Sequence, residues 1–438
     1  MRNLKMLVYA ATCILLMAST ALAQQKVEIV FWHWWSGDNE VLLQEVIDRF
    51  EEDYPWIDII PQQQSWTNRP DRVMMAMISA TGPDVLMTAR EELTNLALQG
   101  LIVPLTELVE ENGLDLDIFY PQELAGLYWQ GELYALPMAS GGATDNTFYY
   151  NKRLFREAGL DPNRPPETWE ALREAHRKLT ITDGRELVQI GIDPLWGYNT
   201  IGEMFPSWLA SNNTTLLDAE GRKVVFHEEG RGLETLNYIV QLYDDALGAP
   251  MVQQFMHAAF EQNRFFTEDM AMCLYHSGFS KNIWDLFPKL DFGIGVRPYN
   301  SDNPGAAPAG TISRGWGNTI PYYVSPEKYQ AAYLFIEWLA AALDGGSWFV
   351  RQQGRPSPVI EHNEHPQYYN VNPYWDYVKF AMETSIPVAI PPINQRLMEL
   401  VTTMVGHVRM GFTNPTAAQE QAVEQMQLLL DEYWNSLW

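Results

Sequence analysis

Aromatic side chains are concentrated in residues 30–39, VFWHWWSGDN, where a predicted strand ends and a helix begins. Successive side chains of a strand point to opposite faces, so burial in one core does not account for all of these rings. Flat aromatic faces pack against the C–H faces of sugar rings, and tryptophan loses little rotamer entropy when it does so. Carboxylate, amide and guanidinium groups nearby supply paired hydrogen bonds to hydroxyl groups. The stretch therefore suggests a surface for a flat ligand with polar edges.

We expect part of this stretch to face a ligand and the rest to pack in the core or at the strand edge. The expected ligand-facing residues are His33, Trp34, Trp35 and Asp38, and the expected packing residues are Phe31 and Trp32. The alternative is that all four aromatic rings are hydrophobic packing.

Sequence signals for catalysis are weak. Residues 325–328, SPEK, match a serine–lysine pattern, but Ser325 is better explained as the cap of a helix with Pro326 at its first position. His362 and His365 in HNEH are spaced like metal ligands, but no third ligand group stands near them in the sequence. There is no phosphate loop, dinucleotide fingerprint or zincin helix. We therefore expect no enzyme, no metal and no cofactor, although the abundant carboxylates leave a glycosidase pair open.

The elements that position the aromatic stretch alternate between strand and helix. KVEIVFW, WIDIIPQQ and PDVLM predict strands, and the segment after the first carries Leu42, Val46 and Phe50 at helical spacing. This alternation favours an α/β layer with a mostly parallel sheet. Ligands of such sheets bind beyond the carboxyl ends of the strands, and VFWHWWSGDN and PDVLMTARE are both such ends.

Two local signals help to place later elements. YWQGELYALPM predicts a hairpin that turns at Gln130 and Gly131. Thr168 predicts the N-cap of a helix that begins within the segment PPETWEALREAHRKL. From Pro373 onward the pattern is nearly all helical.

The N-terminus predicts export. Arg2 and Lys5, the apolar run LVYAATCILLM and the small residues at 21–23 form a signal peptide, residues 1–23, cleaved after Ala23. Cys13 lies inside the apolar run and lacks the small residues that precede a lipidated cysteine. We therefore expect a freely soluble exported protein rather than a lipoprotein.

Composition limits the class of protein further. The 415 residues after the leader are too many for one ordinary core and favour two domains. They carry 27 basic and 55 acidic residues, a net charge of −28, which disfavours nucleic acids and anionic membranes as partners. Cys273 is then the only cysteine, so no disulfide forms within the chain.

Seven segments together resemble extracellular solute-binding protein family 1, the maltose-binding-protein-like receptors of ATP-binding-cassette (ABC) sugar importers. They occur in the order typical of that family and span essentially the whole mature chain. The segments are FEEDYPWIDI, ATGPDVLM, LALQGLIVPLTEL, GELYALPM, FYYNKRLFREAGLDPNRPPETWEAL, AFEQNRFFTEDMAMCLYHSG and GRPSPV.

The resemblance implies an α/β fold of the two-lobed type II periplasmic binding proteins, with a central cleft and a multi-strand hinge. Matching segments place the crossings between lobes near Pro137, Trp284 and Gly345. The N-terminal lobe then comprises residues 24–137 and 286–345. The C-terminal lobe comprises residues 138–285 and 346–438.

The resemblance also implies a function. It implies a periplasmic receptor that captures a mono- or oligosaccharide between closing lobes and delivers it to the permease subunits of an ABC importer, which it contacts only transiently. We expect a monomer that does no chemistry. Two alternatives stay open: a polyol, an amino sugar or a glycerophosphodiester as the ligand, or a secreted carbohydrate-active enzyme.

The matching segments extend the set of expected ligand-binding residues beyond the first stretch. In the N-terminal lobe and the hinge, these are Asp84, Arg90, Glu91, Trp316 and Arg355. In the C-terminal lobe, they are Asp145, Trp196, Tyr198, Trp208, Phe279 and Trp284. The family commonly has a glycine followed shortly by a stacking tryptophan, whereas here Phe279 follows Gly278 and Trp284 comes later, so either ring is a candidate.

Some of these positions have structural alternatives. Asp84 is equally suited to capping a turn, and Arg90 and Glu91 to a solvated helix start. Arg355 could pin the hinge through a salt bridge instead of binding a ligand.

Overall fold

The computed structural model describes residues 26–138, 147–197, 200–257, 263–312 and 315–436. The predicted signal peptide lies outside these residues. The elements before residue 139 are β1 Val27–His33, α1 Asp38–Asp53, β2 Ile57–Gln63, α2 Arg69–Ile78, β3 Val85–Ala89, α3 Arg90–Leu98, α4 Thr106–Asn112, α5 Pro121–Ala125, β4 Tyr128–Trp129, β5 Glu132–Leu133 and β6 Leu136–Pro137.

The remaining elements start at residue 147. Those up to residue 312 are β7 Thr147–Asn151, α6 Lys152–Glu157, α7 Trp169–Leu179, β8 Ile181–Asp183, β9 Glu186–Gln189, α8 Ile201–Ala210, α9 Arg231–Asp244, α10 Ala249–His257, β10 Met272–Tyr275, α11 Phe279–Leu286, β11 Phe292–Gly295 and β12 Thr311–Ile312. Those after it are β13 Trp316–Thr319, α12 Pro326–Ala341, α13 Trp348–Gln352, α14 Pro366–Val371, α15 Trp375–Thr384, β14 Ile386–Pro387, α16 Asn394–Arg409 and α17 Pro415–Ser436.

The first sheet brings several strand ends to one edge. Its order is β2-β1-β3-β13-β6, with β1 parallel to β2 and β3, and β13 antiparallel to β3 and β6. His33 therefore pairs with Gln63, and Trp316 at the start of β13 pairs with Ala89 at the end of β3. Because these ends share an edge, the loops that leave them form one surface.

The second sheet is smaller and antiparallel, with the order β10-β7-β11. Each sheet lies in its own hydrophobic core. The first core contains buried residues between 29 and 138 and between 320 and 359, and the second contains residues between 148 and 294 and between 397 and 430. Two cores around two sheets, each covered by helices, agree with the predicted α/β fold of two lobes.

The lobe boundaries differ from the expected ones in two places. We expected residues 286–345 in the first lobe, but β11 pairs with β7 of the second sheet and contributes Phe292 and Ile294 to the second core. We expected residues 346–438 in the second lobe, but Phe349 and Val350 are buried in the first core. Strand pairing and burial therefore place the crossings later than Trp284 and Gly345.

Two segments between the lobes pair with each other, since Thr311 of β12 lies in parallel register with Ile386 of β14 in a separate two-stranded ribbon. Other contacts among the described residues run directly from one lobe to the other. Trp129 of the β4–β5 hairpin stacks against Trp434 of α17, with ring centroids 6.2 Å apart. Gln122 of the first lobe donates a hydrogen bond to the carbonyl oxygen of residue 383.

Acid is expected to destabilise the second lobe through His176. This residue is buried in α7, where Nδ1 accepts from the Ile192 amide at 3.0 Å and Nε2 lies 2.9 Å from the carbonyl oxygen of Leu242. The ring is therefore neutral and donates through Nε2. Burial lowers its pKa from 6.5 to about 4, against a smaller opposing effect of the Leu242 hydrogen bond.

Because the pKa of His176 is lower in the folded chain, the unfolded chain binds more protons at any pH between the folded and the unfolded pKa. The stabilisation is complete above about pH 6.5 and is lost as the pH falls toward 4. We expect this histidine alone to cost about 2 kcal/mol of unfolding free energy between pH 7 and pH 5. Urea unfolding of wild type and His176→Gln at both pH values tests this. An equal loss in the two proteins would contradict it.

Candidate ligand-binding cleft

A cavity of about 690 Å³ lies between the two lobes and receives side chains from both. Its first-lobe residues come from the loops at the carboxyl edge of the first sheet, from the start of α1 and from the end of α13 and the segment after it. Its second-lobe residues come from the end of β10 and from α11. The lining residues are Trp34, Trp35, Ser36, Asp38, Asn39, Val41, Leu42, Trp66, His276, Gly278, Lys281, Asn282, Asp285, Gln352, Gln353 and Arg355.

Three tryptophans form one aromatic cluster at the first-lobe wall. The rings of Trp34 and Trp66 lie 6.0 Å apart, and those of Trp66 and Trp316 lie 5.6 Å apart. Trp34 follows β1, Trp66 follows β2 and Trp316 is the first residue of β13. The shared edge of the sheet therefore brings the three rings together. Trp34 is fixed by an indole N–H that donates to the carbonyl oxygen of Met87 at 2.8 Å. Trp66 is 55% exposed, so one of its faces is available for stacking.

The guanidinium of Arg69 lies within the same cluster. It is 5.0 Å from the ring centroid of Trp66, 5.3 Å from that of Trp316 and 5.6 Å from that of Trp34. Its Nη2 donates to Glu92 at 2.7 Å. Burial raises the pKa of Glu92, and the charge of Arg69 opposes that rise.

Trp35 and Arg355 form a second part of the lining. Trp35 packs edge-to-face on Phe349, and the Arg355 guanidinium lies 6.0 Å from its ring. The indole N–H of Trp35 is buried and has no hydrogen-bond partner among the described residues. In the part of the chain that the structure describes, no carboxylate lies within ion-pair distance of Arg355. This corner therefore offers a cation to a bound molecule.

The second-lobe wall is polar and is built around the start of α11. The hydroxyl of Tyr149 donates to the carbonyl oxygens of His276 and Ser277, which fixes the turn before the helix. A Cβ at Gly278 would lie 2.7 Å from the carbonyl oxygen of Gln353, so glycine permits the close approach of this turn to the segment before Arg355. Burial, and to a smaller extent the charge of Arg355, lower the pKa of His276 well below its usual value, which keeps this imidazole neutral.

Four expected site residues line the cavity: Trp34, Trp35, Asp38 and Arg355. Trp316 contacts the lining residue Trp66. Contact of these residues with a ligand stays a prediction.

Three other expected residues lie near the cavity or on the second-lobe wall without lining it. Glu91 lies 3.5 Å from Arg69, close to the tryptophan cluster. Trp196 stacks on Tyr275 at the end of β10, with ring centroids 5.5 Å apart. Trp284 packs on Phe292 of β11.

Burial contradicts the ligand-facing prediction for four residues. His33 is 1% exposed, and burial lowers its pKa to about 4. Trp208 is fully buried on Trp169 and donates to the carbonyl oxygen of Pro194. Phe279 is 2% exposed and packs on Tyr149 within the second core. Arg90 is buried in an ion pair with Glu123.

Asp84 also does not lie where the ligand-facing prediction put it. It precedes β3, at the edge opposite the cavity, and accepts hydrogen bonds from the Val30 amide and from Lys328. It therefore joins strands and helix rather than facing a ligand. Asp145 and Tyr198 lie outside the described residues.

Sequence reasoning missed Trp66, Arg69 and His276. Trp66 and Arg69 occur in QSWTNRP, which follows the carboxyl end of β2. The rule that ligands bind beyond such ends, applied to β2 as well as to β1 and β3, would have found them. His276 lies three residues before Phe279, which the sequence did single out.

The two histidines with metal-like spacing have other roles. His362 Nδ1 is 2.7 Å from the hydroxyl of Ser347, and His365 Nδ1 accepts from the amide of Gln367 at the start of α14. Among the described residues, no three His, Cys, Asp or Glu side chains are grouped to hold a metal ion. Within the same residues, no helix has the length and apolar character needed to cross a bilayer.

Comparison with known proteins identifies similar chains over nearly the whole length. Residues 36–342 match the family model described as bacterial extracellular solute-binding protein. The sn-glycerol-3-phosphate-binding periplasmic protein UgpB of Pectobacterium atrosepticum is 24% identical, over 98% of this chain and 96% of that protein. UgpB of Yersinia pseudotuberculosis is 25% identical, over 94% of each chain.

Solved structures share the fold. The sugar-binding protein MalE of Xanthomonas citri matches with a TM-score of 0.78 and 18% identity, over 94% of this chain and 99% of that one. The protein CpMnBP1 with mannotriose bound matches with a TM-score of 0.76 and 22% identity, over 92% of this chain and 100% of that one. Identities this low establish the two-lobed architecture alone.

Proposed function

Because the chain belongs to the bacterial extracellular solute-binding protein family, we propose that it is a receptor that captures a mono- or oligosaccharide between its lobes. The observation that carries this proposal is the composition of the cavity between them. One wall presents the exposed Trp66 with the largely buried Trp34 beside it, and Trp316 packs on Trp66. The facing wall presents polar groups of α11. A pyranose needs both an aromatic face to stack on and hydrogen-bonding groups around its rim.

The proposed action is a shift of the hinge equilibrium. A ligand that contacts Trp66 in one lobe and Asn282 in the other makes both sets of contacts only when the lobes are close. Its differential affinity therefore favours the closed arrangement. The receptor then delivers the sugar to the permease subunits of an ABC importer. We propose that it acts as a periplasmic monomer, released from its signal peptide after Ala23, and that it does no chemistry on the ligand.

A glycerophosphodiester or glycerol phosphate is the second candidate ligand. Arg355 at the cavity has no carboxylate partner among the described residues, and its charge favours this ligand because a guanidinium binds phosphate oxygens in a bidentate manner. The names of the two UgpB relatives point the same way. Asp38 and Asp285 at the same cavity oppose it, because they add negative charge near a phosphate.

Native mass spectrometry of freshly purified mature protein, before and after mild unfolding and dialysis, decides between the candidates. We expect a released mass that fits hexose units, and restored binding when mannotriose is added back. A released phosphodiester, or binding of sn-glycerol-3-phosphate but not of mannotriose, would replace the sugar assignment. Cleavage of the bound saccharide on incubation would contradict a pure binding role.

A further inference from the structure

We propose that Arg69 is a positioning residue that holds Trp34, Trp66 and Trp316 together as one stacking platform. This inference rests on the proposed function, because a platform matters only if a ligand stacks on it. Arg69 itself is absent from the cavity lining and is 8% exposed. Its expected effect on a ligand is therefore exerted through the rings around it.

The three rings share one cation. The Arg69 guanidinium lies 5.0 to 5.6 Å from all three ring centroids, within the range of attraction between a cation and an aromatic face. The rings also contact one another in space: Trp34 contacts Trp66, and Trp66 contacts Trp316. No other described cation has this arrangement, since Arg72 is near Trp34 alone, at 5.8 Å.

The local fold fixes where the guanidinium lies. The amide of Arg69 donates to the carbonyl oxygen of Trp66, so a tight turn joins the ring to the cation at the start of α2. On the other side, Arg69 Nη2 is 2.7 Å from Glu92 and 3.5 Å from Glu91, both in the first turn of α3. Both carboxylates contact the same Nη2 atom, so they anchor that end of the planar guanidinium at the start of α3.

Trp66 is the ring that most needs this support. It lies in the loop between β2 and α2 and is more than half exposed, whereas Trp34 has its own hydrogen bond to Met87. An exposed ring on a loop has several accessible rotamers, and ordering it on binding costs affinity. Contact with Arg69 and the two neighbouring rings removes that cost before the ligand arrives.

The test compares Arg69→Met with Arg72→Met, which removes a cation near Trp34 alone together with a hydrogen bond to the carbonyl oxygen of Ser65. The double variant Arg69→Met/Glu92→Gln avoids leaving a buried carboxylate without its cation, and it serves if the single variant folds poorly. Fluorine NMR of fluorotryptophan-labelled protein, with the Trp66 signal assigned by Trp66→Phe, reports the order of that ring without any ligand. We expect the Trp66 signal to move toward that of free fluorotryptophan in both Arg69 variants, and the buried Trp208 signal to stay unchanged.

Binding of mannotriose is measured on the same proteins by calorimetry. We expect about a tenfold loss of affinity in the Arg69 variants and less than about a twofold loss in Arg72→Met. An unchanged Trp66 signal, or wild-type affinity in the double variant, would overturn the role of Arg69. If wild type does not bind mannotriose, or if Trp66→Ala binds it normally, the proposed function or its site fails, and the NMR result still decides whether Arg69 orders the ring.

Discussion

Replacing Arg90 with methionine is expected to lower the free energy of unfolding by about 3–5 kcal/mol, although this residue does not line the cleft. Arg90 and Glu123 are both 0% exposed, and Nη2 lies 2.6 Å from the carboxylate. The other amino group donates to the carbonyl oxygen of Gln122. Removing the guanidinium takes a cationic donor away from the buried Glu123 carboxylate and a donor away from the Gln122 carbonyl oxygen, and the loss of a charged partner in a desolvated site is costly. Chemical denaturation near neutral pH measures the loss.

The double variant Arg90→Met/Glu123→Gln is the control for uncompensated charge. It removes both charges, so we expect it to be more stable than Arg90→Met alone by about 1–2 kcal/mol. Ligand affinity of the folded variants is expected to change little. A single variant within about 1 kcal/mol of wild type would mean that the pair is not buried as a unit.

Several regular elements in both lobes were predictable because their signals are local. The alternation in KVEIVFW corresponds to β1, and the strands and helices up to residue 98 occur in the predicted order. The hairpin turns at Gln130 and Gly131, both with positive φ. Thr168 accepts from the amide of Ala171, as a cap does. Each of these features depends on residues within one or two turns of chain.

The prediction of a helix cap at Ser325 was only half correct. The helix does begin at Pro326, but the Ser325 hydroxyl lies near the Glu327 carboxylate and makes no capping hydrogen bond to a helix amide. Proline at the first position removes one of the amides that need a partner, so the helix start does not depend on the serine side chain.

Which aromatic side chains face the cleft was not predictable from residue type. Trp208 and Trp66 are both tryptophans, and each lies in a segment beside predicted elements. One is buried because the α8 face that carries it packs on Trp169 of α7, and its N–H finds the Pro194 carbonyl. The other lies in a loop at the sheet edge. The difference comes from contacts between residues distant in sequence, which local periodicity does not encode.

The lobe boundaries differ from the predicted ones for a related reason. β11 is a short strand, FGIG, whose composition suits either sheet. Its place is set by antiparallel pairing with β7, more than 140 residues earlier, and by the fit of Phe292 and Ile294 into the second core. Pairing partners of short buried strands depend on the whole fold.

Trp66→Ala and Trp208→Ala are expected to have opposite effects. Trp66 is 55% exposed and lines the cavity, so its loss should weaken ligand binding about 10- to 100-fold and leave the unfolding free energy within about 1 kcal/mol of wild type. Trp208 is fully buried, so its loss should cost about 3–5 kcal/mol of stability by leaving a cavity and an unpaired carbonyl oxygen at Pro194. Calorimetric titration and urea unfolding of both proteins separate the two effects.

The comparison is informative because both substitutions remove the same side chain. Trp208→Ala, measured below its own unfolding transition, should bind the ligand nearly as well as wild type, since the indole contacts Trp169 and Tyr238 rather than the cavity. If Trp208→Ala abolishes binding while the protein stays folded, the second-lobe part of the site extends deeper than the cavity between α1 and α11. If Trp66→Ala binds normally, the ligand does not stack on the first-lobe tryptophans, and the site must be sought at the corner of Trp35 and Arg355.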